Sequence, residues 1–281
     1  MSVLDESAQV ATRCSKTDGL VYETIIDSSV CIGPGSVKEL HSLLRRNGFL
    51  FFKNFLSKRS SFLLNENLST FLKTINDSKN KNGWLVGSEG DVIEGPPRKN
   101  GNARALWKKF IKSREVQWLF NSQNIVDMLT RFFSSNVIVP LEDQSWLRVK
   151  RRTESTFCHS DIYYLMKYQS ELLTGCDLNE HIPIYTLWIA LSDHKKGYTS
   201  ALQFAANSHL AQGYSWKDVD RSFSPEIKSR TYNMHWDSPI DNIEVGDAFL
   251  FNIKTLHKAT IHCENFPRMS FDTRIRIVPK K

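Results

Sequence analysis

Three side chains in this sequence have the types and the order to hold a divalent metal: His159, Asp161 and His257. The first two lie in Phe157-Cys158-His159-Ser160-Asp161-Ile162-Tyr163-Tyr164. On an extended strand, residues two apart share a face, so imidazole and carboxylate would project the same way. His257 comes 98 residues after His159, behind Gly246-Asp247 and the apolar run Ala248-Phe249-Leu250-Phe251. The Gly-Asp pair reads as a turn, the apolar run as a buried strand, and His257 as the opening of the next strand. Two histidines and one carboxylate make the facial triad that suits non-haem Fe(II) and leaves three positions open for chemistry. Eleven residues beyond His257, Arg268 opens the alternating stretch Arg268-Met269-Ser270-Phe271-Asp272-Thr273-Arg274-Ile275-Arg276-Ile277. A fixed, bidentate cation near an iron centre is what a dicarboxylate such as 2-oxoglutarate requires. His-x-Asp alone arises by chance; the ordered set of four is far more specific.

Each member has a rival. His235-Trp236-Asp237 repeats the His-x-Asp pattern, but only 22 residues separate His235 from His257. That is too few for the intervening strands of a jelly roll, so the pair reads as a turn near the mouth. His262 competes with His257, and Arg274, on the same strand face, competes with Arg268. The Gly-Asp turn and the eleven-residue step favour the first of each pair. His262 then reads as a plain edge residue, and Arg274 as a surface or structural ion pair with Asp272. His41, His181, His194 and His209 lack partner spacing and read as structural or exposed. The basic run Arg148-Val149-Lys150-Arg151-Arg152 reads as a solvated edge. Cys158 should point to the strand face opposite His159.

With these residues in view, the chain from about Ser36 to Ile277 resembles the phytanoyl-CoA dioxygenase-like Fe(II)/2-oxoglutarate oxygenases. The resemblance also rests on Ser145-Trp146-Leu147-Arg148-Val149-Lys150 before the iron motif and Tyr185-Thr186-Leu187-Trp188-Ile189-Ala190-Leu191-Ser192-Asp193 after it. Ala201-Leu202-Gln203-Phe204-Ala205-Ala206-Asn207-Ser208-His209 is similar to a family segment that ends Pro-Gly-Ser-His, without the family's Gly and Pro. The resemblance implies His159, Asp161 and His257 as iron ligands and Arg268 as the partner of the distal carboxylate of 2-oxoglutarate. It also implies Trp188 and Tyr163 beside the co-substrate. Members often carry a hydroxyl two residues after the distal histidine; here that position is Ala259, and Thr255 or Thr260 could stand in for it.

The function that this resemblance implies is that of a 2-oxoglutarate-dependent non-haem iron dioxygenase. With Fe(II) and O₂ it would hydroxylate an unactivated C–H bond of a small-molecule metabolite and release succinate and CO₂. Halogenating relatives have a small residue in place of the carboxylate; this chain keeps Asp161, which favours hydroxylation, desaturation or ring formation. Three other readings stay open. A catalytically inactive jelly-roll binding protein could keep the motif by descent. An oxygenase could act on nucleic acid or protein. A sugar-isomerase-like cupin could hold another divalent metal, since three ligands do not fix the metal, although Arg268 argues against it. The net charge of +7 permits a nucleic acid, but no aromatic-basic stacking array is present, so none is expected.

The elements that must position these residues are read from periodicity. The chain has 281 residues, enough for one large domain, with 41% hydrophobic and 24% charged residues. The expected fold is α+β, mainly β: a double-stranded β-helix (jelly-roll or cupin-like) core over about 137–278, with helical support over 36–133. Residues 1–20 are polar and expected to be loose. A helix is predicted over Ser36–Arg46, stopped by Gly48, then a strand over Phe49–Phe55 and a helix over Lys58–Ile75. Residues 77–104 read as a long loop, and a helical pattern returns from Ala103 to Phe133. Strands are predicted over 146–152, 157–162, 184–192, 201–205, 243–252, 255–263 and 268–278. Five cysteines without paired spacing and no export pattern at the start point to a cytoplasmic protein, and no apolar run reaches membrane-spanning length.

Overall fold

The computed structural model describes residues 34–56, 129–134, 137–150, 155–176, 182–195, 202–210, 242–264 and 268–278, with short pieces elsewhere. Helix α1 (Pro34–Asn47) buries Leu40, Leu43 and Leu44, one stripe at helical spacing. Gly48 ends it with φ +86°, a left-handed conformation in which a Cβ is strained. The predicted helix over 58–75 lies outside the described residues except for Glu66, and so does most of 103–128.

Two sheets carry the fold. The short strand β3 (Ile25–Asp27) runs parallel to β4 (Phe49–Lys53). The long strand β7 (Val137–Lys150) precedes β8 (Thr156–His159) and β9 (Ile184–Ala190). Then come β11 (Leu202–Ala205), β12 (Trp236–Asp237), β14 (Ala248–Asn252), β15 (His257–Ala259) and β16 (Arg268–Val278). A six-stranded sheet has the order β3-β4-β14-β9-β16-β7, and a four-stranded sheet the order β12-β11-β15-β8. Short pairs join β1 (Lys16–Thr17) to β2 (Leu20–Val21), β5 (Leu85–Val86) to β6 (Val92–Glu94), and β10 (His194–Lys195) to β13 (Asn242–Ile243). The β5–β6 pair falls within the stretch predicted as loop.

Strands β4 and β14 of the six-stranded sheet are buried and apolar on both faces, which is why they read as continuous apolar runs, whereas β16 of the same sheet alternates. Leu50 and Phe52 of β4, Leu187 and Ile189 of β9, and Leu250 of β14 pack under α1, Phe132 and Phe133. Their neighbours Phe49, Phe51, Trp188, Phe249 and Phe251 pack with Leu202 and Phe204 of the four-stranded sheet. The predicted jelly roll under a helical layer is therefore present. Among the described residues, no helix is long and apolar enough to cross a membrane.

The end of α1 is locked to the loop that delivers His257. The Gly48 carbonyl accepts from Thr255 Oγ1 and Asn252 N, each at 2.9 Å. His209 Nε2 donates to the Arg45 carbonyl at 2.8 Å. A Cβ at Gly48 would lie 2.5 Å from His209 Nδ1 and 2.6 Å from Thr255 Oγ1. Gly48→Ala therefore combines a positive φ with overpacking, and it is expected to cost roughly 2–4 kcal/mol of stability. Urea unfolding, read as a shift in midpoint at unchanged slope, checks this.

Candidate metal centre and co-substrate pocket

His159 is the last residue of β8, and His257, the first of β15, is its direct partner in the antiparallel ladder. That register brings two rings separated by a long stretch of sequence to 4.2 Å between centroids. Asp161 comes from neither strand. The expected strand over 157–162 ends at His159, and helix α2 (Asp161–Tyr168) begins two residues later. Ile162 N donates to the Ile253 carbonyl at 2.9 Å, tying the start of α2 to the end of β14. A carboxylate in the first helical turn suits the positive end of the helix dipole. The ligand atoms of His159, Asp161 and His257 all lie within 4.8 Å of one another, and all three residues are buried.

The hydrogen bonds around the triad fix which atoms face its centre. His257 Nδ1 donates to the Thr255 carbonyl at 3.1 Å, leaving Nε2 as the free lone pair. His257 Nε2 and His159 Nε2 lie 3.9 and 4.0 Å from Asp161 Oδ1. Asp161 Oδ2 accepts from Thr186 Oγ1 at 2.5 Å. Burial alone would raise the Asp161 carboxyl, but the Arg274 guanidinium, then His257 and His159, hold it well below the usual carboxylate range. Burial pushes the His257 imidazole down, against smaller opposing effects of Asp161 and the Thr255 carbonyl. A deprotonated carboxylate and a neutral imidazole are the forms that bind a metal.

Arg274 makes the expected structural ion pair with Asp272 and adds a contact with the triad. It is buried, its Nη2 lies 2.5 Å from Asp161 Oδ1, and its Nη1 lies 2.6 Å from Asp272 Oδ2. The pairing with Asp272 was expected; the burial and the contact with the triad were not. The cause is strand alternation, which turns Arg268, Ser270, Asp272 and Arg274 to one face of β16. Asp272 also takes a bidentate bond from Arg148 of β7, at 2.6 and 3.1 Å. Arg148 and Lys150 both line the pocket; Lys150 is buried, while the Arg148 side chain is 42% exposed.

These residues line a pocket beside the triad. Arg268, buried on β16, stacks its guanidinium 5.2 Å from the Trp188 ring centroid. Burial, then Arg148, lower Arg268 to about 9, with Asp272 opposing. Its Nη2 is buried without a hydrogen-bond partner among the described residues, and so is the hydroxyl of Ser270. Such atoms cost free energy unless a ligand meets them. Ser270 offers the pocket a hydroxyl, which Ala259 cannot. Thr255 is committed to Gly48, whereas Ser270 opens on the cavity. The step of two from Arg268 could have revealed it.

Tyr163 is not among the residues lining the cavity; it packs edge-on to Tyr164 at 5.5 Å. The expectation assumed a strand. On a helix, Tyr164 is three residues from Asp161 and shares its side, and Tyr164 is the ring edge-on to His159, at 5.6 Å. His262 is buried rather than at an edge, and it does not join the triad. His41 and His209 are structural, on the Phe132 and Arg45 carbonyls. Trp236 and Asp237 form an edge strand paired with β11 instead of a turn, and His181 and His235 lie outside the described residues. Cys158 does turn away from the pocket, packing with Trp236, Ala205 and Leu256. Cys158, Cys176 and Cys263 are free thiols, and Cys14 and Cys31 lie outside the described residues.

The donor set fits iron: two neutral nitrogen donors and one carboxylate, with an open cavity on one side. The pocket also holds a guanidinium nitrogen, Arg268 Nη2, with no hydrogen-bond partner among the described residues, which is a donor that a carboxylate can meet. A family model described as phytanoyl-CoA dioxygenase (PhyH) matches residues 44–270. No curated protein matches the sequence. Among solved structures, the chain is similar to the non-haem α-ketoglutarate-dependent carbocyclase SnoK from nogalamycin biosynthesis, at 17% identity and TM-score 0.55 over 85% of this chain and 83% of that one. The epimerase SnoN of the same biosynthesis is similar at 14% identity and TM-score 0.54, over 88% and 87%. EctD from S. alaskensis, solved with 2-oxoglutarate and 5-hydroxyectoine, is similar at 12% identity and TM-score 0.56, over 96% and 87%. At these identities the likeness is one of fold.

Proposed function

The chain belongs to the phytanoyl-CoA dioxygenase (PhyH) family of Fe(II)/2-oxoglutarate-dependent oxygenases, and from that premise we propose that it hydroxylates an unactivated C–H bond of a small molecule, with His159, Asp161 and His257 holding the iron. The observation that carries this reading is the meeting of three ligand atoms within 4.8 Å at the edge of a pocket that also holds the buried edge of Arg268. Fe(II), 2-oxoglutarate and O₂ are the cofactors of the class. Bound here, they supply the oxidising power, coupled to conversion of 2-oxoglutarate to succinate and CO₂.

The chain's own residues do the rest. The Thr255 carbonyl holds the His257 ring so that Nε2 faces Asp161 Oδ1. Thr186 and Arg274 orient the carboxylate and keep it ionised. Arg268, with the Ser270 hydroxyl beside it, binds the far carboxylate of 2-oxoglutarate, and Trp188 forms the wall next to it. Buried Phe251 and Leu202 keep water from the pocket floor.

Adding Fe(II) and then 2-oxoglutarate to metal-free protein without oxygen should give the visible charge-transfer band of the chelate. Arg268→Met should keep Fe(II) binding and weaken 2-oxoglutarate by roughly a hundred- to several-thousandfold, because truncating one side of a buried charge pair costs about 3–5 kcal/mol. Folded wild-type protein that binds Fe(II) and shows no band at any 2-oxoglutarate concentration would end the oxygenase reading. Iron-dependent succinate release then provides the screen for substrates.

A further inference from the structure

The partner of Arg268 is a histidine. His194 opens β10, which pairs with β13 through His194 and Ile243. Its side chain is buried, with 1% of the residue exposed. Arg268 Nε donates to His194 Nδ1 at 3.1 Å. The same imidazole stands edge-on to Trp188, at 5.3 Å and 89°. With the Arg268 guanidinium over Trp188, the three side chains form a closed triangle at one wall of the pocket.

The chemistry of this contact is specific. A guanidinium N–H can only donate, so His194 Nδ1 must be an unprotonated acceptor, and the ring is neutral with its proton on Nε2. A neutral acceptor fixes the guanidinium without cancelling its charge. The other two arginines of the pocket are arranged differently: Arg148 and Arg274 are both engaged by Asp272, and Arg274 also by Asp161. No carboxylate lies within ion-pair distance of Arg268 among the described residues. An aspartate at the position of the imidazole would have spent that charge and competed with an incoming carboxylate. The bond is made at Nε alone, and Nη2 is left without a hydrogen-bond partner among the described residues.

We propose that His194 is a positioning residue for the co-substrate: it orients Arg268 and Trp188 while reserving the full charge of Arg268 for the distal carboxylate of 2-oxoglutarate. This rests on the co-substrate reading given under the proposed function. Three proteins carry the test, each loaded with Fe(II) without oxygen: wild type, His194→Phe and His194→Asn. Phenylalanine keeps a ring against Trp188 but has no acceptor; asparagine places an amide oxygen near the position of Nδ1. Each is titrated with 2-oxoglutarate and with 2-oxobutanoate, which has the same keto-acid head and no distal carboxylate.

His194→Phe should weaken 2-oxoglutarate roughly ten- to a hundredfold and leave 2-oxobutanoate within about threefold, while His194→Asn keeps both near wild type. In turnover, His194→Phe should raise the KM for 2-oxoglutarate and spare kcat at saturation. Wild-type affinity for 2-oxoglutarate in His194→Phe would overturn the proposal. So would an equal loss for both keto acids, which marks general damage to the pocket. If His194→Phe does not fold, His194→Leu carries the same comparison. A wild-type protein that gives a band with neither keto acid overturns the co-substrate reading itself, before any variant is made.

Discussion

Replacing Arg274 with methionine is expected to destabilise the fold by roughly 3–5 kcal/mol, the range for removing one member of a buried ion pair. Arg274 sits between two carboxylates, Asp161 at 2.5 Å and Asp272 at 2.6 Å, and neither is more than 3% exposed in its side chain. Asp272 would keep Arg148. Asp161 would keep only the Thr186 hydroxyl and two imidazoles. Its carboxyl, now held down chiefly by Arg274, would rise under the pull of burial. The sign is fixed by linkage. A depressed folded-state carboxyl contributes stability above its unfolded value, near 4, and loses that stability as pH falls through the folded value. Arg274→Met should therefore lose most near neutral pH and little in strong acid. Urea unfolding of the metal-free protein across pH would show this. Adding Asp161→Asn to Arg274→Met should recover a large part of the stability, because the uncompensated charge is gone. No recovery in the double variant would mean that Arg274 acts through packing instead.

How much of the site is legible in the sequence depends on the range of the signal. The order His159, Asp161, His257, Arg268 can be read from residue type and spacing, helped by the Gly-Asp turn before His257 and the alternating strand that opens at Arg268, whereas the strand end at His159 and the helix start at Asp161 carry no local mark. The ladder pairing His257 with His159 is then a consequence of the jelly-roll topology. The alternation that puts Arg274 on the face of Arg268 also puts Ser270 and Asp272 there, so the charged row of β16 is readable in principle. Its burial is not, because a strand with polar residues on every second position usually shows that face to water. The same bias makes Arg148 and Lys150 look like a solvated edge.

Other features are out of reach of any short pattern. His194 meets Arg268 across 74 residues, from a two-residue strand outside both main sheets. Nothing local in Ser192-Asp193-His194-Lys195 indicates a partner. Tyr163 and Tyr164 exchange places for a different reason. The sequence around Asp161 is apolar and aromatic, which suits a strand as well as a helix, and the change of period at Ser160 decides which ring faces the triad.

Asp161→Ala is expected to abolish Fe(II) binding in practical terms, with a loss of well over a hundredfold, more than the roughly ten- to hundredfold cost of removing a supporting residue. Two imidazoles cannot supply the charge that the carboxylate brings to a divalent ion. The fold should tolerate this change better than the loss of Arg274. Arg274 keeps Asp272 as a partner, and Thr186 keeps a small hydroxyl that water can satisfy. The two variants thus separate the two roles of one contact: Arg274→Met lowers stability first, and Asp161→Ala removes the metal first. Anaerobic Fe(II) titration, with unfolding midpoints measured alongside, distinguishes them. Wild-type Fe(II) affinity in Asp161→Ala would place the metal elsewhere, with His235-Trp236-Asp237 the next sequence to alter. Loss of Fe(II) from a stably folded Asp161→Ala protein, set beside retained Fe(II) in Arg268→Met, would order the site as the geometry does: the triad for the metal, and the buried arginine for what binds next to it.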